Sequence, residues 1–177
     1  MKLSHVAELL KIRPSVVESG TAPVDNDLFI PSVGEIDMIG VRSGRLILAC
    51  VFDELEGRHL KQLPEIYRWV RENSRLLAHV YRAKGLSEGF SFSIWYLCTA
   101  VEPDAQLMLP SLGDLPLVIY CYRPDGGSLA VERFTGKPKK NVIEIPTNIN
   151  FELNENELGA FLATDDEITY TGPNLDP

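Results

Sequence analysis

The stretch Gly34-Glu35-Ile36-Asp37-Met38-Ile39-Gly40-Val41-Arg42-Ser43-Gly44-Arg45-Leu46-Ile47-Leu48-Ala49-Cys50-Val51-Phe52 decides the fold. Residues 35–41 alternate with a period of two, the signature of a strand. The alternation predicts Ile36, Met38 and Gly40 on one face and Asp37, Ile39 and Val41 on the other. Ser43-Gly44 reads as a hairpin turn, since both residues tolerate the positive φ that tight hairpins demand. Residues 46–52 are almost continuously apolar, which a strand can be only when both of its faces are covered. Asp37 is the one charge facing otherwise apolar surroundings.

Working outward, residues 3–11 place Leu3, Val6, Ala7, Leu9 and Leu10 at helical spacing, with Ser4 as an N-cap and Pro14 as a stop. Residues 19–31 are rich in Gly, Pro, Asp and Asn and predict a loop with a short strand near 28–30. Residues 63–84 predict one long helix, with Leu63, Ile66, Tyr67, Val70, Leu77, Val80 and Tyr81 in a single apolar stripe. Pro64 fits its first turn and Gly85 closes it. Strands are expected at 90–100, 117–123 and 129–134, with a short helix or irregular segment across 103–112. Asp125-Gly126-Gly127 is a turn, so the last two strands should pair as a hairpin. The order of elements implies an α/β domain with a central mixed β-sheet flanked by helices.

The 177 residues fit one domain with an appendage. Residues 1–136 form the expected core and 137–163 an extension, opened by the basic linker Lys137-Pro138-Lys139-Lys140 and holding a short strand (142–145) and helix (152–162). Residues 164–177, with Asp165-Asp166-Glu167, form an acidic tail expected to be disordered. No apolar run approaches the ~20 residues needed to cross a bilayer, so no membrane partner is expected. Cys50, Cys98 and Cys121 lack CxxC spacing and each sits in an apolar stretch; they read as buried thiols of a reducing cytoplasm. The net charge of −8 disfavours a phosphate-binding surface over the molecule as a whole while leaving room for a local basic patch.

The run 34–40, the turn at Ser43-Gly44 and the strand 46–52 resemble the core hairpin of the PD-(D/E)XK nuclease superfamily, and more narrowly its RecB-type and DNA-repair branches. Gln62-Leu63 and Trp69-Val70-Arg71-Glu72-Asn73 resemble the helix that follows, where such families carry a glutamine. The resemblance implies a restriction-endonuclease-like core. It also implies a magnesium ion held by carboxylates on adjacent strands, with a lysine nearby. Asp37 matches the first-strand aspartate. Aligning the hairpins puts the second carboxylate at Cys50 and the lysine at Phe52, and neither residue can do that work. The implied protein is therefore a catalytically impaired relative, with no cofactor expected, that associates with nucleic acid, a protein partner or a second copy of itself. The alternative is an active magnesium-dependent nuclease whose ligands have moved to Asp53, Glu54 or Glu65 around Asp37.

Several residues carry both a chemical and a structural reading. Asp37 is a metal ligand or a carboxylate paired with Arg42 or Arg45 near a strand end. Glu8 on the first helix and Glu35 beside Asp37 are further candidate ligands, or solvated side chains. Lys61, Arg68, Arg71, Arg75 and Arg82 fall within about 80° of arc on a straight helix, opposite the apolar stripe. They form either a ridge for phosphates or a solvated face, laced by Lys61/Glu65 and Arg68/Glu72 pairs worth ~0.2–0.5 kcal/mol each. His5, His59 and His79 have no metal-binding spacing. There is no phosphate-cradling or serine-hydrolase motif.

Overall fold

The computed structural model describes residues 3–125 and 128–135; the expected extension and tail lie outside the described residues, as does the turn at Gly126-Gly127. Helix α1 (Leu3–Ile12) ends before a 3-10 turn at Pro14–Val16. Strands β1 (Ala22–Ile30), β2 (Gly34–Arg42) and β3 (Arg45–Val51) follow as an antiparallel meander. A short strand, β4 (Glu54–Leu55), leads into α2 (Gly57–Leu60), α3 (Leu63–Glu72) and α4 (Ser74–Val80). Then come β5 (Phe92–Cys98), β6 (Ala100–Val101), α5 (Pro103–Met108), β7 (Leu117–Asp125) and β8 (Ser128–Arg133). The six long strands form one sheet in the order β1-β2-β3-β5-β7-β8, while β4 and β6 form a separate parallel pair. β3, β5 and β7 run parallel to one another, and β8 returns antiparallel to β7.

The central hairpin forms as its residues predict. Ser43 and Gly44 take φ of 49° and 76°, the paired left-handed conformations of a two-residue turn that matches strand twist. β3 is buried along its length after Arg45, and its side chains segregate strictly by face. Leu46, Leu48 and Cys50 join a core with Leu63, Ile66, Val70 and Leu77 of the helices. Ile47, Ala49 and Val51 join a second core with Val6 and Leu10 of α1. β5 does the same, with Ile94, Tyr96 and Cys98 on the first side and Trp95 and Leu97 on the second. Helices thus cover both faces, which is why the two central strands contain no charged residue within their buried stretch.

Three expectations need correcting. Residues 19–31 are mostly strand: β1 pairs with β2 from Ala22 to Ile30. Its Pro, Asp and Asn misled because β1 lies at the sheet edge, and the register shift between Pro23 and Asp25 accommodates the proline. The helix expected over 63–84 breaks at Asn73, whose φ of −96° and ψ of 9° leave the helical region. The Trp69 carbonyl accepts both the Asn73 side-chain amide at 2.9 Å and the Asn73 N–H at 3.0 Å. Beyond the break the buried side moves round to Leu77 and Ala78, and Val80 is 55% exposed instead of joining the stripe. Ile36 packs with Ile39 and Val41 rather than with Met38, a departure from alternation where β2 leaves β3.

Candidate functional site

The end of β3 is where β2 and β3 part. Their register runs Arg42↔Arg45, Gly40↔Ile47 and Met38↔Ala49, so the next residues to face one another are Asp37 and Cys50. In a hairpin with a two-residue turn these pairs exchange both backbone hydrogen bonds, and the series would continue to Val51 and Ile36. It does not. The Val51 N–H instead donates to the Asp37 carboxylate (Oδ2) at 2.8 Å. Asp37 therefore caps the backbone donor that the parting strands leave without a carbonyl, as buried backbone groups require. The arginines proposed as its partners are engaged elsewhere: Arg42 pairs with Glu18, and the Arg45 Nε donates to Ser91.

Cys50 is buried, and its thiol is pushed far above the usual range by burial and then by the Asp37 carboxylate. It is neutral across the physiological range, a poor donor for a hard cation. Phe52 stacks on the imidazole of His59, with ring centroids 4.2 Å apart, and meets Tyr96 edge-on at 5.1 Å. Three bonds hold this segment. The Phe52 N–H donates to the Leu97 carbonyl at 2.7 Å, and the Tyr122 hydroxyl donates to the Phe52 carbonyl at 3.2 Å. The Tyr96 hydroxyl donates to the His59 carbonyl at 3.2 Å. Burial, reinforced by Asp53, pushes the Tyr122 hydroxyl up to about 12, so it stays a donor.

Val51, Phe52, Asp53, Glu54, Glu56, Arg58 and His59 line a cleft of about 300 Å³ at this strand end. The Glu56 N–H donates to His59 Nδ1 at 3.1 Å, which leaves Nε2 to carry the proton of the neutral ring. Burial, then the neighbouring Arg58, lowers the His59 pKa, with Glu56 and Asp104 opposing. α2 is seated here through Gly57, whose N–H donates to Asp104 of α5 at 3.0 Å. A Cβ on Gly57 would meet that carboxylate at 2.7 Å and the Met108 sulfur at 2.8 Å, so a larger residue would force those two side-chain ends to shift. Thr99 fixes the other wall, donating to the Asp53 carbonyl from its hydroxyl at 2.6 Å and its N–H at 2.8 Å.

The remaining candidates are dispersed. Asp53 and Glu54 line the cleft. Glu65 lies on α3 and pairs with Arg68, in place of the expected Lys61/Glu65 and Arg68/Glu72 pairs, because the three-residue offset brings those two side chains together. Glu8 belongs to the helix packed on the opposite face and pairs with Lys11 at 3.1 Å. Glu35 is exposed opposite Phe29 of β1. Gln62 reaches back to the Val33 carbonyl at 3.4 Å, tying the start of α3 to the β1–β2 turn. Lys61, Arg68, Arg71, Arg75 and Arg82 are all exposed, but Asn73 interrupts the helix that was expected to align them. Among the described residues, no three His, Cys, Asp or Glu side chains converge to hold a metal. His59, Tyr96, Tyr122, Gly57 and Asp104 were not picked out from sequence. The Glu56/His59 spacing at a helix start was the one available signal.

No protein-family model matches the chain, and no curated protein matches it. Solved structures do. EndoMS in its apo form aligns with a TM-score of 0.50 at 17% identity, over 71% of this chain and 48% of that one. The fold is shared with EndoMS. A repair endonuclease from Pyrococcus abyssi aligns at 0.46 and 16% identity, covering 71% of this chain and 48% of its own. An EndoMS–dsDNA complex aligns at 0.42 and 18% identity, covering 62% and 41%. The chain spans less than half the length of these structures. The mixed sheet with helices on both faces is thus a nuclease-like α/β fold, as the hairpin motif implied.

Two outcomes follow from this geometry. Asp37→Ala removes the partner of the Val51 N–H and is expected to cost about 1–3 kcal/mol; Asp37→Asn, which keeps a carbonyl acceptor, should cost less. Urea unfolding of both variants measures the difference. His59 has a folded pKa below its unfolded value, so its contribution to stability is present above about 6.5 and is lost as pH falls through the folded pKa. Between pH 7.5 and pH 5 the wild type should lose more stability than His59→Asn. An equal loss in both would show that His59 is not the titrating group.

Proposed function

We propose that the chain is a nuclease-fold module that binds without cutting, a relative of the PD-(D/E)XK nucleases whose catalytic hairpin has been converted to core. One observation carries this reading: the position facing Asp37 is a buried neutral thiol, and the position two residues on is an aromatic ring held between His59 and Tyr96. Cleavage of a phosphodiester by such a fold needs a hard cation held by convergent carboxylates and a cationic side chain beside it. Asp37 is the one carboxylate on the hairpin's facing positions, and it already serves the Val51 amide. This donor set does not fit magnesium, and no step is assigned to one.

The partner best supported is nucleic acid. Arg68 and Arg71 on α3, Arg75 on α4 and Arg82 in the 3-10 turn after it are all exposed, which supports a local basic surface despite the net charge of −8. A protein partner or a second copy would not need such a patch. The relocated-ligand reading draws on Asp53 and Glu54, which line the cleft beside Phe52.

With magnesium or manganese, the purified chain is expected to leave single- and double-stranded DNA and RNA uncut. It should bind one of them at low salt, with affinity falling steeply as salt rises. Replacing the four arginines with alanine should weaken binding and flatten the salt dependence by about 0.9 in log–log slope per phosphate contact removed from duplex DNA. Metal-dependent cleavage abolished by Asp37→Ala would overturn the proposal. Cleavage that also requires Asp53 or Glu54 would establish the relocated site. No binding to any nucleic acid would leave a protein partner as the occupant.

A further inference from the structure

Cys98 and Cys121 were expected to be inert core thiols, widely separated in sequence. The fold makes them neighbours. β5 and β7 run parallel, and the final pair in their register is Cys98↔Cys121. Directly paired residues on adjacent strands lie roughly 5 Å apart at Cα, inside the range that a disulfide spans. Both side chains belong to the same core, Cys98 fully buried and Cys121 partly exposed, and the Cys98 thiol donates weakly to the Tyr120 carbonyl at 3.8 Å, one residue before Cys121.

We infer that Cys98 and Cys121 form a redox pair that closes to an intramolecular disulfide when a hydroperoxide reaches the partly exposed Cys121. The Cys121 thiolate attacks the peroxide oxygen and the O–O bond breaks. Cys121 becomes a sulfenic acid, and the leaving oxygen departs as water or an alcohol after taking a proton. The Cys98 sulfur then attacks the sulfenic sulfur. The S–S bond forms, the S–O bond breaks, and hydroxide leaves as water with the Cys98 proton. Two thiols are oxidised by two electrons and one peroxide is reduced.

The environment distinguishes the two sulfurs as this order requires. The Cys98 thiol is raised by the neighbouring Cys121 and by burial. The Cys121 thiol is lowered by the neighbouring Cys98 and by Arg123, against burial and Glu132. Glu132 faces Cys121 from β8 and is itself paired with Arg123 at 2.8 Å, so its charge is partly spent there. Cys50 cannot join. It lies on β3, opposite Tyr96, with that strand separated from β7 by β5, and its thiol is held neutral. The cross-link would close the loop 99–120 and tie the last residue of β5 to the middle of β7, next to the Thr99 that holds the Asp53 carbonyl.

The experiment treats the folded full chain with excess hydrogen peroxide, unfolds it, alkylates the remaining thiols and measures the intact mass and the cross-linked peptides. The expected product has lost two hydrogens, retains Cys50 as the one alkylatable cysteine of three, and yields a Cys98–Cys121 peptide pair that dithiothreitol separates. The oxidised chain should also melt at a higher temperature than the reduced chain, because the link restricts the unfolded state. Three alkylatable thiols after treatment, oxygen added to Cys121 without a cross-link, or a disulfide that includes Cys50 would each overturn the inference. These readouts use the wild-type chain and do not depend on a variant folding.

Discussion

The two left-handed residues at Ser43 and Gly44 set the register of the β2–β3 hairpin, and that register fixes what every neighbouring side chain can touch. A slip of one residue would send Leu46, Leu48 and Cys50 to the α1 side and Ile47, Ala49 and Val51 to the other, inverting both cores at once. Because the two faces bury different helices, neither arrangement can be reached by small adjustment. The same register puts Asp37 opposite Cys50 and leaves the Val51 N–H to be capped by a carboxylate instead of a carbonyl.

From that pairing the character of the site follows. The Asp37 carboxylate accepts from a backbone amide and lies beside a thiol held neutral by burial, so Cys50 adds no second charged ligand at this position. Phe52 then continues the apolar surface outward to His59 and Tyr96 at the rim of the cleft, without the positive charge that a lysine would bring. The carboxylates that do lie nearby, Asp53 and Glu54, begin where the strand ends and face the open cleft. Packing and ionic chemistry are thus separated along the chain within a few residues, with the boundary at Phe52.

Much of this was legible in the chain itself because it rests on local periodicity. The alternating and continuous apolar runs of 35–52 identify the hairpin, its turn and the double coverage of β3. The resemblance of that hairpin to a nuclease motif supplies the expectation, separate from the fold, that Cys50 and Phe52 stand where a carboxylate and a lysine would. What was not legible depended on contacts distant in sequence. β1 reads as loop because Pro23, Asp25 and Asn26 are poor strand residues, yet an edge strand tolerates them while β2 supplies the pairing. The break at Asn73 is a single residue leaving helical backbone angles inside an otherwise continuous apolar period. His59 joins the site only because α2 is drawn against α5 through Gly57 and Asp104, and Cys98 meets Cys121 only through a parallel crossover.

The proposal turns on Asp37 serving the Val51 amide beside packed apolar side chains without forming a cation site. The direct measurement is a crystal structure of the chain grown with manganese, read at the wavelength where manganese scatters anomalously. The account predicts no anomalous peak within ligating distance of the Asp37 carboxylate, with Val51 still bonded to it. A manganese peak coordinated by Asp37 together with Asp53 or Glu54 would contradict it.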